Sequence, residues 1–328
     1  MNRFLAIVLT GFAVLTAKAQ ETAPLRLVQT IPLPEVEGRI DHFSVDLKGR
    51  RLFMSALGNN TLEIFDLRTA QRLPSVGGLH EPQGVFFIPE LNKIIVANGV
   101  GGAVKIFDGE SFKLVGEVNF SDDADNLRYD AARKHIYVGY GDGAFGVIDA
   151  SNGNRLSDIK LEGHPESFQL EKSGPLLYVN VPTAKHIAVI DRDKRVVVAK
   201  WSLDGDHANF PMALDEAHHR LFIACRKPAE VMVFDTPSGK VVARLASTGD
   251  ADDLWYDAAR KRLYVSGGEG FISVIELHDA DDYEVVATLA TAPGARTSIF
   301  VPEFGRLYLA VPRRAGQRAE LRIYEARP

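Results

Sequence analysis

Seven short polar clusters carry the side chains in this sequence that could do chemistry. They are Arg39, Asp41 and His42; Glu81 and Gln83; Asp123, Asp125 and Asn126; His164 and Glu166; His207 and Asn209; Asp250, Asp252 and Asp253; and Arg296. Brought together by a fold, they allow three chemistries. The first is a hydrated, self-neutralising channel in which Arg39 and Arg296 balance Asp41 and Asp252. The second is cation binding: Asp125, Glu166 and Asp252 offer hard oxygens suited to calcium, whereas His42, His164 and His207 favour a transition metal. The third is catalysis by such a metal, which would polarise a carbonyl or activate a water.

Other chemistries are poorly supported. There is no G-x-S-x-G elbow and no H-E-x-x-H. Asp215-Glu-Ala-His-His219 imitates a helicase motif, but no G-x-x-x-x-G-K-[ST] loop accompanies it. The lone Cys225 sits in an apolar Leu-Phe-Ile-Ala-Cys run and reads as a buried structural thiol. Arg226-Lys227 and Arg313-Arg314 read as loop pairs on the same face as the clusters, solvated in the plainer reading and able to touch an anionic ligand or partner in the other.

The elements that position the clusters are repeated. Asp123–Asp149 and Asp250–Glu276 share 16 of 27 residues and lie 127 positions apart, three periods of about 42. Each cluster precedes a short apolar strand, as in Phe43-Ser-Val-Asp46 or Leu254-Trp-Tyr-Asp257. A second strand follows, such as Arg262-Leu-Tyr-Val-Ser266, and then a third that closes on an acid: Asp66, Asp108, Asp149, Asp191, Asp235, Glu276 and Glu325. Those seven acids open turns such as Asp235-Thr-Pro-Ser-Gly239 and are read as structural. A fourth strand follows most of them, as in Val196–Leu203.

Four strands per period with no helical pattern predict the all-β class and a single seven-bladed β-propeller. The seventh repeat lacks a fourth strand. Leu25–Leu33 resembles one and is expected to complete that blade, removing the free sheet edges. The clusters then ring the mouth of a central channel, where ligand sites combine concavity with convergent polar groups.

The repeat carries a family resemblance. Tyr137-Val-Gly, Tyr178-Val-Asn and Tyr264-Val-Ser, each followed by a loop and an apolar strand ending in an acid, resemble the YVTN-type propeller repeat. The chain is similar over nearly its whole length to seven-bladed propellers of the YncE-like and quinoprotein amine dehydrogenase β-chain kind. This resemblance implies architecture first. It also admits the metal-dependent propeller lactonases, whose Glu, Asn and Asp from separate blades would correspond to Glu166, Asn209 and Asp252, with Asp125 as a further metal candidate. An electron-transfer partner of a quinoprotein is a third implied class.

The basic Met1–Arg3, the apolar Phe4–Leu15 and the small-residue Ala17-Lys-Ala19 predict a cleaved signal peptide over residues 1–19, and a propeller domain over 20–328. The apolar run is too short to span a membrane, so no membrane insertion is expected. Losing Arg3 and Lys18 moves the formal charge from −5 to −7, against nucleic-acid binding. The expected function is an exported, periplasmic or secreted scaffold, monomeric, that binds a protein partner or small ligand, with a divalent cation such as calcium as the one cofactor considered. The alternative is a hydrolase of the lactonase kind.

Overall fold

The computed structural model describes residues 23–203, 205 and 208–328. The expected signal peptide and His207 lie outside the described residues. The chain is all-β: seven four-stranded antiparallel sheets, each with its strands in sequence order except the last. In that blade Ser298–Val301, Arg306–Val311 and Glu320–Ala326 are joined by Leu25–Pro32 from the other end of the chain. Leu25–Pro32 pairs antiparallel with Glu320–Ala326, from Leu25↔Ala326 to Pro32↔Glu320.

The strands differ by position as their composition requires. Second strands such as Arg51–Ala56 and Leu176–Val181 are buried at every residue after the first, because neighbouring blades cover both faces. Fourth strands such as Val196–Ser202 are largely exposed. The core is therefore spread between blades. Ile31, Leu33, Met54 and Phe65 pack with Tyr308 and Ile323 where the ring closes. Trp201 stands between blades 4 and 5, its ring 5.4 Å from Tyr178 and 5.9 Å from Phe234.

The third-strand aspartates hold turns. Asp66 accepts the N–H of Arg68 at 2.7 Å, Asp108 that of Ser111 at 2.8 Å and Asp149 that of Ser151 at 2.8 Å. Cys225 is buried, and burial pushes its thiol up to about 12. His218 caps its own turn through Asp215 at 2.7 Å.

Candidate functional site

The channel mouth is built by one local device used four times. Glu81, Asp123, Ala208 and Asp250 each stand immediately before an innermost strand in the left-handed backbone region, with φ of 51°, 44°, 46° and 53°. Aspartate tolerates that conformation better than most residues. Directly after each, the pairing of the innermost strand slips through an irregularity, between Pro82 and Val85, Ala124 and Leu127, Asn209 and Met212, and Ala251 and Asp253. Such bulges re-aim side chains. The residue two places after the left-handed one is thereby turned into the channel: Gln83, Asp125, Phe210 and Asp252.

The resulting cavity of about 180 Å³ is lined by eleven of the clustered residues: Arg39, Asp41, His42, Gln83, Asp123, Asp125, Asn126, His164, Glu166, Asp252 and Arg296. Glu81 is exposed and outside it. Asp250 stands behind the wall, 2.9 Å from Arg296 Nη1. Asp253 lies deeper and accepts the N–H of Ser298 at 2.7 Å. Asn209 is buried between blades 4 and 5, its Nδ2 donating to Asn180 Oδ1 at 2.7 Å. Ser167, Phe210 and Arg226 complete the wall. The repeat register marks Phe210, because Ala208-Asn-Phe210 aligns with Asp123-Ala-Asp125 and Asp250-Ala-Asp252. Arg226 belongs to a loop pair that the plainer sequence reading assigns to solvent; instead its guanidinium lies 3.5 Å from the Phe210 ring centroid.

Charge is arranged in two halves. On the side of blades 5, 6, 7 and 1, guanidiniums and carboxylates are matched. Asp252 bonds Arg226 through Oδ1 and Arg296 Nε through Oδ2 at 2.9 Å. Asp41 holds Arg39 at 2.9 Å. On the side of blades 3 and 4 the acids are less well served. His164 Nδ1 donates to Gly141 O at 2.7 Å and its Nε2 approaches Asp125 at 3.5 Å, while Gln83 donates to Asp123 at 2.8 Å. Asp125 Oδ1 is buried with no hydrogen-bond partner. The Glu166 carboxylate, half-buried in the wall, has neither a hydrogen bond nor an ion pair among the described residues.

The titration behaviour follows. Burial works against the His42 charge, but Asp41, Asp253 and Asp125 outweigh it and raise the imidazole. For His164 burial again lowers, the bond to Asp125 raises, and the result is about 9. Burial pushes Asp253 up to about 7. Burial, reinforced by the Asp125 charge, pushes Glu166 up to about 8. Between pH 4.5 and 8 the folded chain then holds a proton on Glu166 that the unfolded chain has released. Its contribution to stability is complete below about 4.5 and is lost as pH rises through 8. Glu166→Gln should therefore raise stability by about 2–4 kcal/mol at pH 9, after discounting for partial exposure, and hardly at all at pH 4. Thermal melts of both proteins across that range check it; a difference that does not grow with pH would contradict a neutral Glu166.

The set Asp125, Glu166, Asn209 and Asp252 does not fit a cation as it stands. Both Asp252 oxygens are taken by guanidiniums, and Asn209 faces away into the blade interface. Among the described residues no group of three or more His, Cys, Asp and Glu side chains is placed to hold a metal ion.

Fold and site together define a seven-bladed propeller with a charged channel mouth. No family model matches the chain. It is 30% identical over 198 residues to the uncharacterized protein YncE of Salmonella typhi, covering 58% of this chain and 55% of that protein. It is 27% identical over 165 residues to YncE of Escherichia coli K12, covering 46% and 47%. The chain thus spans about half the length of the curated relatives it matches. Among solved structures, a chain of Kuenenia stuttgartiensis hydrazine synthase superposes with a TM-score of 0.73 at 17% identity, covering 89% of this chain and 96% of that one. A chain of the mitotic checkpoint complex gives 0.77 at 11%, covering 92% of each. At such identities the likeness is one of fold. The chain is a seven-bladed β-propeller, similar over about half its length to YncE.

Proposed function

We propose that this chain is an exported binding scaffold whose channel mouth receives a small polar ligand through a positively charged group. The observation that carries the reading is the Glu166 carboxylate, without a hydrogen bond or ion pair among the described residues, beside Asp125, whose buried Oδ1 accepts no hydrogen bond and has only the His42 imidazole at 4.0 Å. Buried acids without partners are costly unless a ligand supplies the missing donor or charge. An ammonium group would do so and would draw the Glu166 proton off, so binding should release a proton and tighten between pH 6 and 8. A protein partner would reach the same acids with a lysine from a loop. The export component rests on the leader-like first 19 residues.

Calorimetric titrations with calcium chloride, and with a series of small primary amines and diamines, test the reading at pH 7.5. At least one should bind the wild type and bind Glu166→Gln about tenfold or more weakly, the size expected for losing one charge-assisted bond. Calcium as the responsive ligand would place a divalent cation at Asp125 and Glu166 alone, without Asn209 or Asp252. If neither class binds, or if Glu166→Gln and Asp125→Asn leave binding unchanged, the reading fails.

A further inference from the structure

The face opposite the channel mouth carries an imbalance of charge where the ring closes. In blades 1, 3, 5 and 6 the innermost strand ends in an aspartate: Asp46, Asp130, Asp215 and Asp257. Each receives a basic side chain. Asp46 holds Arg51 at 2.7 Å, Asp130 holds Arg133 at 3.0 Å, Asp215 holds His218 at 2.7 Å and Asp257 holds Arg260 at 3.0 Å. In blade 7 the residue in that register is Val301, opposite Arg306. The first compensating acid is therefore missing.

The second is diverted. Arg220 and Arg262, which start their second strands as Arg306 does, pair with the acid across the ladder, Asp235 at 2.9 Å and Glu276 at 3.0 Å. Arg306 faces Glu325 in the same register. But the closing strand brings Arg26, which takes Glu325 at 2.6 Å. Arg306 is left without an ion pair among the described residues. It turns to a cleft of about 400 Å³ that it lines with Arg50, Arg68, Phe304 and Tyr308. Arg50 makes no ion pair among the described residues either, and stacks over Phe304 at 5.4 Å. Arg68 has Asp66 at 3.5 Å, an acid already engaged by two turn N–H groups.

A further group lacks its partner. The Tyr264 hydroxyl donates to Asp257 at 3.1 Å, whereas the matching Tyr308 hydroxyl is buried against Arg306 and finds no acceptor for its own hydrogen among the described residues. Three guanidiniums and a hydroxyl donor at one concave site form a receptor for a multiply charged oxyanion, since guanidinium forks match such oxygens geometrically.

We propose that the cleft between blades 7 and 1, lined by Arg50, Arg68, Arg306 and Tyr308, binds a phosphate-type oxyanion. The site is separate from the channel mouth and does not depend on its ligand. Inorganic phosphate and vesicles containing phosphatidylglycerol are the two probes, used at constant ionic strength. Binding of phosphate alone identifies a free or small-molecule phosphate. Binding of the anionic vesicles, with neutral phosphatidylcholine vesicles as control, identifies a lipid headgroup. Either should weaken about tenfold in Arg306→Gln and in Arg50→Gln, the loss of one charge-assisted contact. Arg26→Gln gives the sharper check. Arg26 does not line the cleft, yet its loss frees Glu325 to recapture Arg306, so binding should fall there too. If neither probe binds the wild type, or if binding survives Arg306→Gln and Arg50→Gln undiminished, the proposal is overturned. If those two weaken it and Arg26→Gln does not, diversion of Glu325 is wrong as the origin of the site.

Discussion

A chain lacking Leu25–Leu33 should be lost to aggregates, with no monomeric peak in size-exclusion chromatography and no cooperative melt. That segment buries Leu25, Ile31 and Leu33, which together contribute about 5–8 kcal/mol of apolar burial. It also satisfies the outer edge of Glu320–Ala326 and anchors both ends by backbone bonds, Leu33 N–H to Ala319 O and Arg327 N–H to Pro24 O, each at 2.9 Å. Domain stabilities lie at about 5–15 kcal/mol, so the loss is comparable to the whole. The deletion also opens an unpaired edge, a template for association with other chains. A soluble monomer with an unchanged melting temperature would show that the strand does not close the ring.

The second large effect concerns Arg192→Met. Arg192 is buried at the turn after the third strand of blade 4 and reaches Asp130 in blade 3 through Nη1. Its other nitrogens donate to the carbonyls of Glu171 at 2.6 Å, Gly174 at 2.5 Å and Pro175 at 3.1 Å. Methionine fills the volume but supplies no donor. A buried carboxylate is left with Arg133 alone, and carbonyls that took guanidinium donors lose them. The expected cost is about 3–5 kcal/mol, read as a lowered urea midpoint. Arg133→Gln leaves the buried half of the pair intact and should cost only about 0.5–1 kcal/mol. Equal losses in the two variants would mean that the buried member has no special part in joining blades 3 and 4.

Much of the fold was legible because its determinants are local. The second strands announce themselves by continuous apolar runs, the turns by Asp and Gly at set offsets, and the missing fourth strand of blade 7 by its likeness to Leu25–Leu33. The position of the polar clusters was legible for the same reason: each sits at one register of a repeat, so a ring of strands gathers them at one end. Inside that ring, sequence was a weaker guide. Phe210, not Asn209, takes the channel position of blade 5, because the bulge after Ala208 turns the second residue inward and leaves the first between blades. Asp252 and Asp253 are adjacent, yet one meets two guanidiniums at the mouth and the other sinks beneath Ser298 and His42.

By itself, then, the sequence determined the all-β class, the number of blades, the closing strand and the end of the channel where charge collects, because periodicity and turn chemistry act over a few residues. Only the tertiary structure decided which charges are satisfied. Arg226 and Arg296 reach Asp252 from blades 5 and 7, Arg26 takes Glu325 from Arg306 across 299 residues, and Glu166 is left unpartnered among the described residues. Ion pairing falls off within a few ångströms, and those separations are set by how the blades pack rather than by any spacing along the chain.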